Sequence, residues 1–196
     1  SVCESLEVSG DFYADLGGSH SFCPSLDNAV EWIPFPKNLV AGADTELNWI
    51  MIDQITPYNI TVKGELDITC CMFNTPPDNM TVGKDINVLG LKFGSTENRM
   101  KGELKVGGDF LIENPWGEAV DGTIIEYGSE YPVILPSKNA KIGGDILYDN
   151  NCQQLILPDT LSVNGNFYTI NGEVYEKFAG AKTVKGKVIH RQISIW

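Results

Sequence analysis

Acidic residues recur at one place in this chain, directly after the central position of a short repeated pattern: Asp11, Asp44, Glu65, Asp85, Asp109 and Asp145, with Asn166 and Lys187 at the two remaining places. Paired carboxylates can hydrolyse a glycosidic bond, and a longer row can receive a basic protein surface. Stacked in a column about 4.8 Å apart, neighbouring like charges repel by somewhat under ~1 kcal/mol even in water. Something must offset that cost. One account has each carboxylate accepting backbone N–H groups at a bend, with lysines such as Lys63 and Lys105 alongside. The other has a basic partner.

Other chemistry is thinly supplied. The two histidines, His20 and His190, lie near opposite ends of the chain, so a His-based triad or metal cluster lacks its parts. His20 has Ser19, Ser21 and Cys23 beside it, but sequence neighbours in a loop are seldom a positioned nucleophile and base. His190 reads as an exposed strand residue. No phosphate-loop, dinucleotide, nucleophile-elbow or zincin motif occurs. Gly107-Gly108-Asp109 and Gly143-Gly144-Asp145 lack the register of calcium-binding nonapeptides, so no metal or cofactor is expected. Asn59-Ile60-Thr61 and Asn79-Met80-Thr81 match the glycosylation sequon, yet both fall at one repeat position, where a turn Asn followed by a strand Thr explains them.

These residues need elements to position them, and the elements repeat. Pro57 to Ile68 lines up with Pro77 to Val88 at a period of 20, and Pro158 opens a third copy through Leu161, Val163, Gly165 and Phe167. Looser copies run through Gly10, Ala43, Gly108, Gly144 and Gly186, making about eight units of 20 or 21 residues with three longer excursions. Apolar and polar residues alternate within each unit, which means strand. One unit cannot close a core, but stacked units bury a continuous apolar column. The expected fold is therefore all-β, a single-stranded parallel β-helix or β-solenoid, as one domain over residues 1–196. The central glycine is expected to let the backbone bend, with Pro-x-Asn turn chemistry at another edge. The nearest helix candidates are short segments at 26–31 and 174–178.

The pattern L-P-x-x-L-x-V-x-G-x-L-x-L, with Leu135-Pro136 and Leu157-Pro158 as its leading pair, resembles the tandem repeats of bacterial and phage β-solenoid proteins, some called leucine-rich-like. The resemblance covers roughly two thirds of the chain and implies architecture only, since such repeats serve many unrelated functions. The leucine-rich horseshoe is the structural alternative.

Charge narrows the function classes. With 26 acidic against 14 basic residues the net charge is -12, which argues against direct contact with nucleic acid phosphates. No apolar run is long enough for a membrane helix, and Ser1-Val2-Cys3-Glu4 lacks signal-peptide features. The five cysteines, an odd number without C-x-x-C spacing, suggest neither a disulfide framework nor a zinc site and suit a reducing cytosol. A cytoplasmic chain is expected, in the host cytoplasm if phage-encoded.

Acidity is also segregated, with residues 1–98 holding 14 acids against four bases and residues 99–196 holding 12 against ten. An acidic excursion at about 113–134 carries Glu113, Glu118, Asp121, Glu126 and Glu130 with Trp116. An N-terminal excursion at about 11–35 carries Phe22, Trp32 and Phe35, with Trp49 following. These aromatics and Trp196, in a closing strand at about 188–196, are candidates for caps or for a homodimer interface at the solenoid ends. The expected function is non-enzymatic: an acidic binding protein for a basic protein partner. Its most concrete version is a phage-type, DNA-mimic-like inhibitor of a defence or nucleic-acid-processing complex, of the anti-CRISPR or anti-restriction kind. A structural or adhesive solenoid of a virion or cell surface is the alternative, and a carbohydrate-active β-helix enzyme is third.

Overall fold

Alternating side chains on either side of each bend produce two short strands per repeat, and each strand stacks on its equivalent one repeat away. The computed structural model describes residues 3–15, 32–52, 58–73, 75–93, 101–113, 133–134, 138–149, 154–170, 173–174 and 182–191. The first sheet stacks Ser5–Val8, Asn38–Ala41, Asn59–Val62, Asn79–Val82, Glu103–Val106, Asn139–Ile142, Thr160–Val163 and Lys182–Val184, every neighbouring pair parallel. The second stacks Phe12–Asp15, Thr45–Asn48, Leu66–Phe73, Ile86–Phe93, Phe110–Glu113, Ile146–Asp149, Phe167–Ile170 and Val188–Arg191 in the same way. The protein is an all-β parallel β-solenoid, with no helix among the described residues. One strand of each sheet and the bend between them form a rung. Of the nearest helix candidate at 174–178 only Val174 is described; it belongs to the strand Glu173–Val174, which with Gln154–Ile156 and Val133–Ile134 makes a third parallel sheet. That near 26–31 lies outside the described residues.

The core is built from inward columns. Leu39, Ile60, Met80, Leu104, Ala140 and Leu161 stack in one, and Leu66, Ile86, Phe110, Ile146 and Phe167 stack in another, all buried. Each large aliphatic or aromatic side chain so buried contributes about 1.5–3 kcal/mol. Phe35 packs in this core and Trp49 is buried as well, at 4% and 9% exposure, so neither lies on a surface open to a second chain. Phe35 packs edge-on against Tyr58 at 5.7 Å and 67°, and the Tyr58 hydroxyl donates to the Thr75 carbonyl at 2.8 Å. Burial drives that phenol's pKa upward.

The bend glycines serve a different purpose from the one expected. None of those between the two sheets lies in the left-handed region, so conformational freedom is not what they supply. A Cβ on Gly108, Gly144 or Gly165 would instead lie 1.9 Å from the Oδ1 of Asp85, Asp109 or Asp145 respectively. At these bends glycine leaves the space that the carboxylate of the preceding rung occupies, whereas Ala43 carries a Cβ beside the longer 3.1 Å contact from Asp11.

The left-handed positions sit elsewhere, at Trp49 with φ 57° and Cys70 with φ 51°. The two are stacked, since Asn48 pairs with Thr69, and they mark a corner. Beyond it Met51–Ile52 pairs with Met72 and Phe73 and with Trp32–Ile33. Such φ values cost non-glycine residues of order 1 kcal/mol or more, and the buried packing around Trp49 offsets that cost.

Candidate protein-binding face

The acids that follow the bend are brought into one column, and their hydrogen bonds show what they do there. The Asp11 carboxylate accepts the Asp44 N–H at 3.1 Å, and the Asp44 carboxylate accepts the Glu65 N–H at 2.9 Å. Asp85 accepts from Asp109 and Asp109 from Asp145, both at 2.7 Å, and Asp145 accepts from Asn166 at 2.6 Å. Asn166 continues the series with its amide oxygen, accepting the Lys187 N–H at 2.9 Å. A charged acceptor on a backbone donor is among the stronger protein hydrogen bonds. The Glu65 N–H, and secondarily the Lys84 ammonium 3.4 Å away, hold the Asp44 carboxyl below its ordinary pKa. Lys105, expected beside this column, pairs instead with Glu103, which Lys141 also reaches.

Glu65 is the exception. One methylene longer than aspartate, its carboxylate accepts the Asn87 side-chain amide at 2.6 Å. The following rung has Lys84 where the other rungs have glycine or alanine. With no aspartate carboxylate over that bend, a Cβ fits.

A second set of carboxylates faces outward from the second sheet. Strand register places Tyr13, Glu46, Asp67, Asn87, Leu111, Leu147, Tyr168 and Ile189 in one outward column. Beside it run Asp15, Asn48, Thr69, Leu89, Glu113, Asp149, Ile170 and Arg191. The face is acidic and amide-rich towards the N-terminal rungs and mainly apolar towards the C-terminal ones. At the transition lies a shallow groove of about 340 Å³, lined by Glu46, Asp67, Asn87, Leu89, Leu111 and Glu113 among others. Asn87 also donates to Asp67 at 2.8 Å. Among the described residues no ion pair involves Glu46, Asp67 or Glu113, and Leu89 is 42% exposed.

The sequence reading missed Glu46, Asp67 and Asn87. The signal was available: residues two positions beyond the bend acid share one outward column, and three consecutive rungs place Glu, Asp and Asn there.

Of the other predicted site residues, Trp116, Glu118, Asp121, Glu126, Glu130, Phe22 and Trp196 lie outside the described residues. Trp32 begins a two-residue strand. The sequon asparagines form a ladder, with the Asn79 amide donating to Asn59 at 2.9 Å and Asn59 to Asn38 at 3.0 Å. Asn79 in turn accepts the Glu103 N–H at 3.0 Å. This is the turn role expected of them. His190 is exposed and shares a hydrogen bond with the buried Thr169 hydroxyl.

Cys70 is disulfide-bonded, its partner lying outside the described residues, whereas Cys3 and Cys71 are free. Cys70 thus departs from the expectation that the cysteines form no disulfide framework. Burial pushes the Cys71 thiol up to about 12. Among the described residues no group of His, Cys, Asp and Glu could hold a metal ion, and no helix is long and apolar enough to cross a membrane.

No protein-family model, curated protein or solved structure matches the chain. The likeness to bacterial and phage solenoid repeats thus rests on the repeat pattern quoted above.

Proposed function

We propose that this chain is a non-enzymatic binding protein whose second-sheet outer face receives a basic protein surface. The observation that carries the reading is the contrast between the two acidic sets. Bend carboxylates are engaged by backbone N–H groups, while Glu46 and Glu113 border a groove with no basic side chain paired to them among the described residues. Leu89 and Leu111 beside the acids supply apolar area of the kind that anchors interfaces. Long-range attraction from a net charge of -12 would steer a cationic partner to this face. A surface built to hold nucleic acid fits that chemistry. Joined to the phage-repeat resemblance, it points to an inhibitor of the anti-CRISPR or anti-restriction kind acting in a host cytoplasm.

The test is affinity capture from a bacterial host lysate at low and high salt, using three chains. These are the wild type, a groove variant (Glu46→Lys, Asp67→Lys, Glu113→Lys) and an excursion variant (Glu118→Lys, Asp121→Lys, Glu126→Lys). Salt-sensitive recovery of one nuclease or helicase complex, lost in the groove variant, is the expected result. Recovery that persists in both variants rejects the acidic face. A structural solenoid is the second reading, favoured by exposed Leu6 and Val188 in the first and last described rungs; turnover of an acidic glycan would replace both readings.

A further inference from the structure

Along the solenoid axis the outer face of the second sheet changes character. Over consecutive rungs its outward column runs Glu46, Asp67, Asn87, Leu111, Leu147 and Tyr168, three polar residues followed by three large apolar ones. In the neighbouring outward column the exposed Leu89 and the half-buried Ile170 flank Glu113 and Asp149. The outward column of the first sheet sets the contrast. On the rungs of Asp67 to Tyr168 it carries Thr61, Thr81, Lys105, Lys141 and Ser162, none of them apolar.

Strand formation therefore does not require apolar residues on an outer face of this solenoid. Packing between neighbours along the column half-buries Leu111, Leu147 and Tyr168, and part of each stays open to solvent. A contiguous apolar strip of this kind marks a surface that meets another molecule. Five rung steps of about 4.8 Å separate Glu46 from Tyr168, roughly 24 Å in all. An extended chain of about seven residues covers that distance.

We propose that this face takes one segment of a partner protein laid along the solenoid axis, its cationic residues against Glu46 and Asp67 and its apolar residues against Leu111, Leu147 and Tyr168. The inference rests on the acidic-face reading above and adds to it the order in which the partner's residues come. Desolvation fixes that order. A cation placed over Tyr168 and Ile170 loses water with no carboxylate on that rung's outer face to receive it, whereas over Glu46 it gains one. An apolar residue over the exposed Glu46 would strip water from a carboxylate, but over Leu147 it covers apolar surface.

The experiment titrates the purified chain with two labelled ten-residue peptides of one composition. The ordered probe has four lysines followed by three Ser-Leu pairs, and the mixed probe spreads the same lysines and leucines evenly along its length. On the wild type the ordered probe should bind about tenfold more tightly, and added salt should weaken both. Leu147→Ser with Tyr168→Ser should bring the ordered probe down to the affinity of the mixed one. Glu46→Gln with Asp67→Asn should weaken both probes. Each variant is first shown to keep the wild-type thermal midpoint, with Leu147→Gln alone replacing the double change if that lowers it; the comparison of probes on the wild type needs no variant. Equal affinity for the two probes, both weakened by Glu46→Gln with Asp67→Asn, overturns the ordered segment and leaves the acidic face standing. Absence of binding, or binding indifferent to those two substitutions, overturns the acidic-face reading and the proposal with it. Self-association of the wild type that Leu147→Ser disperses assigns the apolar strip to a second copy of this chain, and also overturns the proposal.

Discussion

Two rows of carboxylates run along this solenoid at the same axial repeat, and they do opposite things. At the bend, Asp85, Asp109 and Asp145 reach along the stack and accept the N–H of the next rung. On the outer face of the second sheet, Glu46, Asp67 and Glu113 border a groove and meet no basic group among the described residues. Acidity alone therefore does not mark a functional surface. What separates the rows is whether a backbone donor is within reach, and at the bend the missing Cβ of the next rung's glycine opens the way.

The comparison breaks most sharply at the glycines. Gly144→Ala drives a Cβ into the Asp109 carboxylate and the Gly108 backbone, and should cost about 1–3 kcal/mol, read as a lower urea midpoint with unchanged slope. Adding Asp109→Ala should recover part of that loss in a double-mutant cycle. Full additivity would show that the two groups do not compete for the space.

Removing the acceptor is a smaller perturbation. Asp109→Ala leaves the Asp145 N–H without its partner and should cost about 1–2 kcal/mol. Asp109→Asn should stay within about 0.5 kcal/mol of wild type, because Asn166 already performs this role with its amide oxygen. A large loss in the asparagine variant would mean that charge, rather than the acceptor, holds the bend.

The groove should behave in the opposite sense. Glu46→Gln with Glu113→Gln should leave stability within about 0.5 kcal/mol while weakening capture of the cationic partner; a clear drop in thermal midpoint would assign these residues to the scaffold.

The smallest effect concerns pH. Hydrogen bonds from Lys141, then Lys105, hold the Glu103 carboxyl below its ordinary value of 4.5. A depressed folded pKa stabilises above the unfolded value and is lost as pH falls through the folded one. Acid titration of the unfolding free energy should therefore show a decline beginning near 4.5 and continuing below it, and Lys141→Ala should flatten it.

Much of the fold was legible because its causes are local. Ile60 and Val62 alternate with Asn59 and Thr61, so strand and buried face follow from period two; the recurrence at 20 residues aligns Asn59 with Asn79 in the sequence and in the ladder. The acid column was legible for the same reason. Its role was only half legible, since a hydrogen-bond account and a partner account fit the same residues until the N–H groups were located. Glu46 and Asp67 were passed over because they are ordinary outward strand residues, and only the groove between neighbouring rungs sets them apart. The aromatics were less legible: Phe35 and Trp49 stand outside the repeat pattern, and only packing, as of Phe35 on Tyr58, shows both to be buried.

The amino-acid order by itself determined that units repeat, that each holds two strands, and that one set of side chains would form a core and another a line of acids. Those properties depend on spacing along the chain, which a linear pattern records completely. Only the tertiary structure decided which acids are engaged, why glycine stands at the bend, where the left-handed corner falls and that Cys70 is bonded. Each of these depends on the reach of a side chain into a neighbouring part of the fold. There a single methylene, the difference between Asp44 and Glu65, changes the partner and allows a lysine where a glycine would otherwise stand.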